Sequence, residues 1–339
     1  MDGDPIMDHE YIDNNMHSYF KTMKRKYTGP VFDSHTHLGK VKDVKTMVKY
    51  EEKFNVKKIF GIVRDNEVKR EIEKEFPDLF VYATFLSIRE ALQGDIKGSL
   101  DILDKAYEQG FTLGKLWFSP RWVNYFKSEE IKIKFRTQDV HLNDPKLEPI
   151  FERLEDLRFT LLLHVSDPDL LYEKNYQPSS KFGTKEGHIN ALKNTLEKYP
   201  KLKIIGAHMA SQPENLKHLD SWLDNYPNLY VDTGSAKWMV REFAYKREEV
   251  IDFFKKHKNR ILFGTDFVAG RTDREPLPGY YINRFLSFQA LFETNVEDLP
   301  LPIPDLENDN KTIINGLDLP LDILKKIYWE NSQKLFLSK

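Results

Sequence analysis

Residues 159–207 carry the run FTLLLHV (Phe159–Val165), a polar stretch ending in EGHINALKNTLEK (Glu186–Lys198), and a second run, LKIIGA (Leu202–Ala207). Both runs are short and almost continuously apolar. The segment between them places Ile189, Leu192 and Leu196 at helical spacing. Continuous apolar strands alternating with amphipathic helices mark a parallel sheet covered on both faces. The same alternation runs from about residue 30 to the C-terminus, through Val31-Phe32, Val56–Val63, Leu79–Phe85, Phe111–Phe118, Asn228–Asp232 and Arg260–Gly264. Amphipathic stretches at Asp101–Gln109, Leu147–Leu157 and Arg241–His257 fill other gaps, and Leu321–Phe336 ends the chain as a terminal helix after the Pro-rich segment Asp298–Pro304. Eight such strands predict an α/β fold, a (β/α)8 TIM barrel. The competing open doubly wound sheet usually carries a Gly-rich phosphate fingerprint after an early strand, and none is present here.

Two segments fall outside the alternation. Residues 1–27 are polar with scattered aromatics (Tyr11, Tyr19, Phe20) and read as an N-terminal arm outside a barrel spanning 28–339. A charged stretch at Ser119–Asp144, with Arg121, Trp122, Tyr125, Lys132 and Arg136, reads as an insertion after the fourth strand. Loops of that length in a compact domain are usually functional.

Composition narrows the function classes. The 339 residues include 51 basic and 53 acidic ones, for a net charge of −2 without a clustered basic field, which argues against nucleic-acid binding. No apolar run approaches the roughly 20 residues of a bilayer span, and the acidic start MDGDPIMDHEYIDNNMH lacks a secretory h-region, so a cytoplasmic protein is expected. Cysteine is absent, which excludes disulfides, thiolate ligands and a cysteine nucleophile.

The chemistry gathers at predicted strand ends. Phe32-Asp33-Ser34-His35-Thr36-His37 closes the first strand, and residues i and i+2 of a strand face the same side, so His35 and His37 present two imidazoles to one point. Alone, the pair also fits two solvated loop histidines. His164 ends LLLHV, His208 ends IIGAH, and Asp266 follows ILFG in FGTDF. Taken singly, the histidines fit satisfied core residues and Asp266 fits a helix cap. Together, at the C-terminal ends of strands one, five, six and eight, they fit a metal site at the face where barrel active sites are built. Asp33 and Ser34 read as strand-end hydrogen-bonding groups. Asp232, Thr233 and Ser235 read as groups that orient the histidines. His188 reads as a helix-face histidine able to reach the pocket mouth.

The order HTH, His164, His208, Asp266 resembles the amidohydrolase superfamily, specifically its amidohydrolase-2 branch of metal-dependent hydrolases and decarboxylases. FDSHTHLG resembles the opening strand of that branch, GFTLGKLWF the fourth, YPKLKIIGAHMAS and YPNLYVDTGS the sixth and seventh, and RILFGTDF the eighth. DPKLEPIFERLEDLRFTLLLHV resembles its fourth helix and fifth strand, and ENSQKLF its terminal helix. The likeness spans about residues 30–339. It implies one divalent metal, Zn²⁺ first with Mn²⁺ or Fe²⁺ as alternatives, held by His35, His37, His164 and Asp266. It further implies His208 and Asp266 as the catalytic proton-handling pair, with metal-bound water attacking a carbonyl. Lys115, which bridges two ions in binuclear relatives when carbamylated, is expected to be an unbridged strand lysine here. A homodimer is also implied.

Arg64, Lys115, Trp117, Arg121, Trp238 and Arg241 are the candidate substrate contacts, with Arg271 beyond them, and they favour an anionic or aromatic small molecule. The leading expectation is hydrolysis of a lactone, ester or amide. Non-oxidative decarboxylation of an aromatic or muconate-type acid uses the same ligands and is the alternative. A non-catalytic binding barrel ranks last, because the ligand set is intact.

Overall fold

The computed structural model describes residues 17–87, 89–92, 94–121, 141–270 and 279–338. The first part of the arm with Tyr11, most of the 119–144 insertion, and Arg271 therefore lie outside the described residues.

Among the described residues nine strands form one sheet: β1 (Val31–His37), β2 (Val56–Val63), β3 (Phe80–Phe85), β4 (Leu113–Trp117), β5 (Thr160–His164), β6 (Lys203–Gly206), β7 (Leu229–Asp232), β8 (Ile261–Leu262) and β9 (Phe267–Val268). Their order in the sheet is β8-β7-β6-β5-β4-β3-β2-β1-β9. The eighth predicted strand is thus present as two short pieces, and these neighbours in sequence stand at opposite ends of the sheet order. Helices alternate with the strands, including Val41–Lys53, Asn66–Glu75, Ile96–Glu108, Glu148–Asp156, Lys185–Lys198 and Leu216–Asn225. This is the (β/α)8 barrel arrangement that the apolar runs predict.

The chain divides into two compact units, one built from residues up to Tyr82 together with Asp232 onward, the other from Ala83–Val231. In the first unit β1 pairs in parallel with β2 and with β9. Its helix Gly279–Glu293 is buried on nearly every side, which its all-round apolar sequence requires. Phe263 packs on Phe288 and Tyr328 at centroid distances of 5.2 and 4.9 Å, and Phe267 on Phe285 at 5.3 Å. In the second unit β4, β5 and β6 pair in parallel, and every residue of β5 is buried. Leu161, Leu162 and Leu163 pack in a core that includes Phe151, Leu154, Leu192, Leu196, Ile204 and Ile205. Each such side chain stabilises the fold by roughly 1.5–3 kcal/mol relative to exposure.

Three elements differ from the sequence reading. The Arg241–His257 helix is two helices, Ala236–Phe243 and Arg247–Lys256. Asn315 donates its side-chain amide to the Ala244 carbonyl at 2.7 Å and so satisfies a group that a continued helix would have used. Within the Pro-rich segment, Leu299–Pro300 pairs antiparallel with Ile313–Ile314. The terminal helix over 321–337 contains a π turn at Lys326–Glu330. Among the described residues, no helix is long and apolar enough to cross a membrane.

Candidate metal centre

β1 is buried up to its last residue, His37, although its second half is polar: Asp33, Ser34, His35 and Thr36 are all fully buried. A strand that buries four polar residues in succession needs partners for each of them. Within the first unit Ser34 Oγ pairs with Ser332 Oγ at 2.7 Å, the Thr36 hydroxyl donates to the Phe60 carbonyl at 3.0 Å, and Asp33 and His35 meet the segment following β8. His35 Nε2 lies 3.3 Å from Asp266 Oδ1, and His37 Nε2 lies 3.2 Å from the same oxygen. The three donor atoms all fall within 4.8 Å of one another. Donors bound about 2.0–2.1 Å from one ion stand roughly 2.9–3.4 Å apart, whereas charge-assisted hydrogen bonds close to about 2.7–2.9 Å. The observed separations match the first spacing, so these residues fit a divalent cation. Two imidazoles and a carboxylate suit Zn²⁺, Fe²⁺ or Mn²⁺ alike.

Local structure explains the convergence. Alternation along β1 aims His35 and His37 to one side. Asp266 occupies the turn between β8 and β9 with φ +60°, and its backbone N–H donates to the His35 carbonyl at 2.8 Å. His35 is fully buried, while the side chains of His37 and Asp266 are 27% and 29% exposed, so the site has one closed and one open side.

Asp232, at the end of β7, accepts a hydrogen bond from His35 Nδ1–H at 2.9 Å, and its other oxygen accepts Gly234 N–H at 2.9 Å. That bond leaves His35 Nε2 as the lone-pair atom facing the metal position. Asp33 accepts the N–H groups of His35 (3.1 Å) and Thr265 (3.0 Å) together with the Thr265 hydroxyl. Burial pushes the Asp33 carboxyl up to about 7, against hydrogen bonds from Thr265 and His35 that favour its charged form. Glu51, buried beside it, is pushed well above the usual carboxylate range by burial and by the Asp33 charge.

The second unit holds the other two predicted histidines, with their rings edge to face at 4.5 Å. His164 ends β5 and donates from Nε2 to Asp167 Oδ1 at 2.9 Å. Ser119 and Tyr176 donate their hydroxyls to Asp167 Oδ2, each at 2.5 Å. Burial alone would raise the Asp167 carboxyl, but the facing His164 and Arg121 and the hydrogen bonds from His164 and Ser119 outweigh it and hold Asp167 well below the usual carboxylate range. His208 begins a left-handed run, His208, Met209, Ala210 and Ser211, with φ of 57°, 55°, 51° and 61°. Each non-glycine residue there costs roughly 1–2 kcal/mol, strain of the kind that collects at functional sites.

The amidohydrolase family model matches residues 92–337. The chain belongs to the amidohydrolase family. His164, His208, Asp232 and Asp266 lie inside the matched region, and His35 and His37 precede it. No curated protein matches the chain. Among solved structures, a putative amidohydrolase from Staphylococcus aureus is 16% identical with a TM-score of 0.50, covering 93% of this chain and 100% of its own. A 5-carboxyvanillate decarboxylase from Novosphingobium aromaticivorans, complexed with manganese and 4-hydroxy-3-methoxy-5-nitrobenzoic acid, is 15% identical with a TM-score of 0.47, covering 88% and 80%. A 5-carboxyvanillate decarboxylase from Sphingomonas paucimobilis is 11% identical with a TM-score of 0.43, covering 88% and 98%.

The remaining candidate residues of this amidohydrolase separate by burial. Arg64 is exposed just past β2, Lys115 is buried within β4, Trp117 and Arg121 are half-buried at the end of β4 and beyond it, and Trp238 is buried in the helix after β7. Arg121 Nε donates to the Tyr176 hydroxyl at 3.2 Å. Arg241, also a candidate from the sequence, donates from Nη1 to both Asp305 oxygens, at 2.9 and 3.2 Å, and from Nε to Glu242, which places these donors in a buried ion pair. His188 is likewise buried, with Nε2–H donating to the Phe182 carbonyl at 2.9 Å. Asp167, Ser119, Tyr176 and Thr265 were missed by sequence reasoning. Of these, only Asp167 carries a local signal, three residues after His164.

Proposed function

We propose that this amidohydrolase-family enzyme is a metal-dependent hydrolase of a small carbonyl compound, a lactone, ester or amide. The observation that carries the reading is the convergence of His35 Nε2 and His37 Nε2 on Asp266 Oδ1, at separations suited to a shared cation. One side of that cluster is open, as a catalytic rather than a structural metal site requires. When bound, a divalent ion, Zn²⁺ first with Mn²⁺ or Fe²⁺ as alternatives, would polarise a carbonyl and bring the pKa of a water to about 7.

The chain's own residues divide the remaining work. His35 and His37 are the neutral imidazole ligands, and Asp232 keeps His35 in the required tautomer. His164 is the proposed fourth donor, on the strength of its place in the strand-end pattern. Asp266, as a part-exposed carboxylate in the ligand set, accepts a proton from attacking water, and His208 returns one to the leaving group. Arg64, Lys115, Trp117, Arg121 and Trp238 are the proposed substrate contacts, and their cationic and aromatic character favours an anionic or aromatic small molecule.

Elemental analysis of the purified protein beside the His35→Ala/His37→Ala variant tests the reading, followed by a screen of lactones, esters, amides and aromatic acids. About one equivalent of divalent metal, lost in the variant, and hydrolysis of at least one carbonyl substrate are expected. Release of CO₂ from an aromatic acid without hydrolysis would replace hydrolysis with decarboxylation at the same ligands. Absence of metal after reloading would overturn both.

A further inference from the structure

We infer that Asp33 is a positioning residue that pins the Asp266 turn to the strand carrying His35 and His37, and so sets the geometry of the divalent-metal site. The inference rests on the assignment of His35, His37 and Asp266 as ligands. Its basis is the way one carboxylate serves both ligand-bearing segments. Asp33 Oδ1 accepts the N–H of His35 at 3.1 Å from one segment and the N–H of Thr265 at 3.0 Å from the other. Asp33 Oδ2 accepts the Thr265 hydroxyl, and Thr265 Oγ1 in turn accepts Phe267 N–H at 3.2 Å. Asp33 is fully buried, so these bonds do not compete with solvent.

The turn needs such an anchor. The regular pairing of β1 with β9 covers only Thr36–Phe267 and His37–Val268. Asp266 lies just before it in a left-handed conformation that a non-glycine residue adopts only when its surroundings impose it. Two backbone bonds, Ser34 N–H to the Phe263 carbonyl and Asp266 N–H to the His35 carbonyl, both 2.8 Å, flank the stretch. Between them Gly264 N–H donates to Thr233 Oγ1 at 3.1 Å, and from β1 it is the Asp33 side chain that holds Thr265. A metal site tolerates displacement of about 0.5 Å. Release of Thr265 lets Asp266 leave the point on which both imidazoles converge.

The test measures Co²⁺ affinity by chelator competition, with the d–d absorption spectrum, on the metal-stripped full-length protein. Thr265→Val removes the hydroxyl held by Asp33 Oδ2 and retains the side-chain shape. It is expected to weaken Co²⁺ binding roughly ten- to hundred-fold, the range for residues that hold metal ligands in place, and to shift the d–d bands. Thr265→Ser restores the hydroxyl and is expected to restore affinity and spectrum. Asp33→Asn retains one carbonyl oxygen for the two backbone N–H groups, loses the second acceptor, and is expected to behave like Thr265→Val. In an Asp266→Ala background Thr265→Val is expected to have no further effect on affinity. Wild-type affinity and spectrum in Thr265→Val, or an equal loss of affinity on top of Asp266→Ala, would overturn the positioning role. Wild-type Co²⁺ affinity in Asp266→Ala and His35→Ala would instead overturn the ligand assignment beneath it.

Discussion

A carboxylate buried as completely as Asp232 is tolerated only where its charge is held by donors, and here the donors are His35 Nδ1–H and Gly234 N–H. The arrangement points His35 Nε2 toward Asp266. Asp232→Asn is therefore expected to keep the fold but to weaken metal binding about ten- to hundred-fold, because an amide holds the imidazole less strongly and permits the wrong tautomer; chelator competition measures it. Glu51 gives a second prediction at this scale. Its carboxyl is raised in the folded state, first by burial and then by Asp33, so the folded chain holds its proton more tightly than the unfolded chain. Its stabilising share is complete below the ordinary carboxylate range and declines as pH rises toward the raised folded value. Glu51→Gln removes that titration. Thermal melts at pH 4, 6 and 8 are expected to show the variant gaining on the wild type as pH rises, and parallel pH profiles would contradict this. Of these residues, the sequence marked His35 by its spacing to His37 and Asp232 by its strand end. Glu51 carries no such mark, because a Glu beside Glu52 near the end of the amphipathic helix Val41–Lys53 reads as solvated.

At the level of elements, the apolar runs located the strands well because strand formation by VKKIFGIV or FTLLLHV depends on local pattern and burial together. The eighth strand was less legible. RILFG reads as one strand through Gly264, but the ladder assigns Ile261–Leu262 and Phe267–Val268, with Asp266 in the turn between them. Nothing local in GTDF announces that turn, since it is imposed by bonds to Asp33 and His35 far away in the chain. The turn after β6 shows the same dependence. Gly206 ends the strand, and a Cβ there would lie 2.5 Å from Ala210 Cβ and 2.8 Å from Ala210 Cα in the left-handed run. Gly206→Ala is expected to destabilise the protein by about 1–3 kcal/mol, since backbone and not a flexible side-chain tip must yield. Equilibrium denaturation reads the stability. A companion loss of activity is expected, because the same run carries His208, the proposed proton donor to the leaving group.

For the whole molecule, a cation that binds the folded chain and not the unfolded one stabilises it by mass action, by about 2.7 kcal/mol at one hundred times Kd. Metal loading is therefore expected to raise the melting temperature of the stripped protein, and the His35→Ala/His37→Ala variant is expected to show no such rise. An equal rise in both would place the ion elsewhere. The sequence by itself determined the (β/α)8 alternation and the presence of two imidazoles on one face of β1, because apolar periodicity and the two-residue repeat of a strand act over short spans of chain. It also supplied the order of strand-end residues by which the chain resembles the amidohydrolase family. Only the tertiary structure decided that Asp266 meets His35 and His37, that Asp232 and Asp33 hold this group from behind, and that Arg241 belongs to Asp305. Asp232, the partner of the His35 ring, lies 197 residues away in sequence. A buried carboxylate selects its partner by proximity and desolvation, which no local pattern of residues encodes.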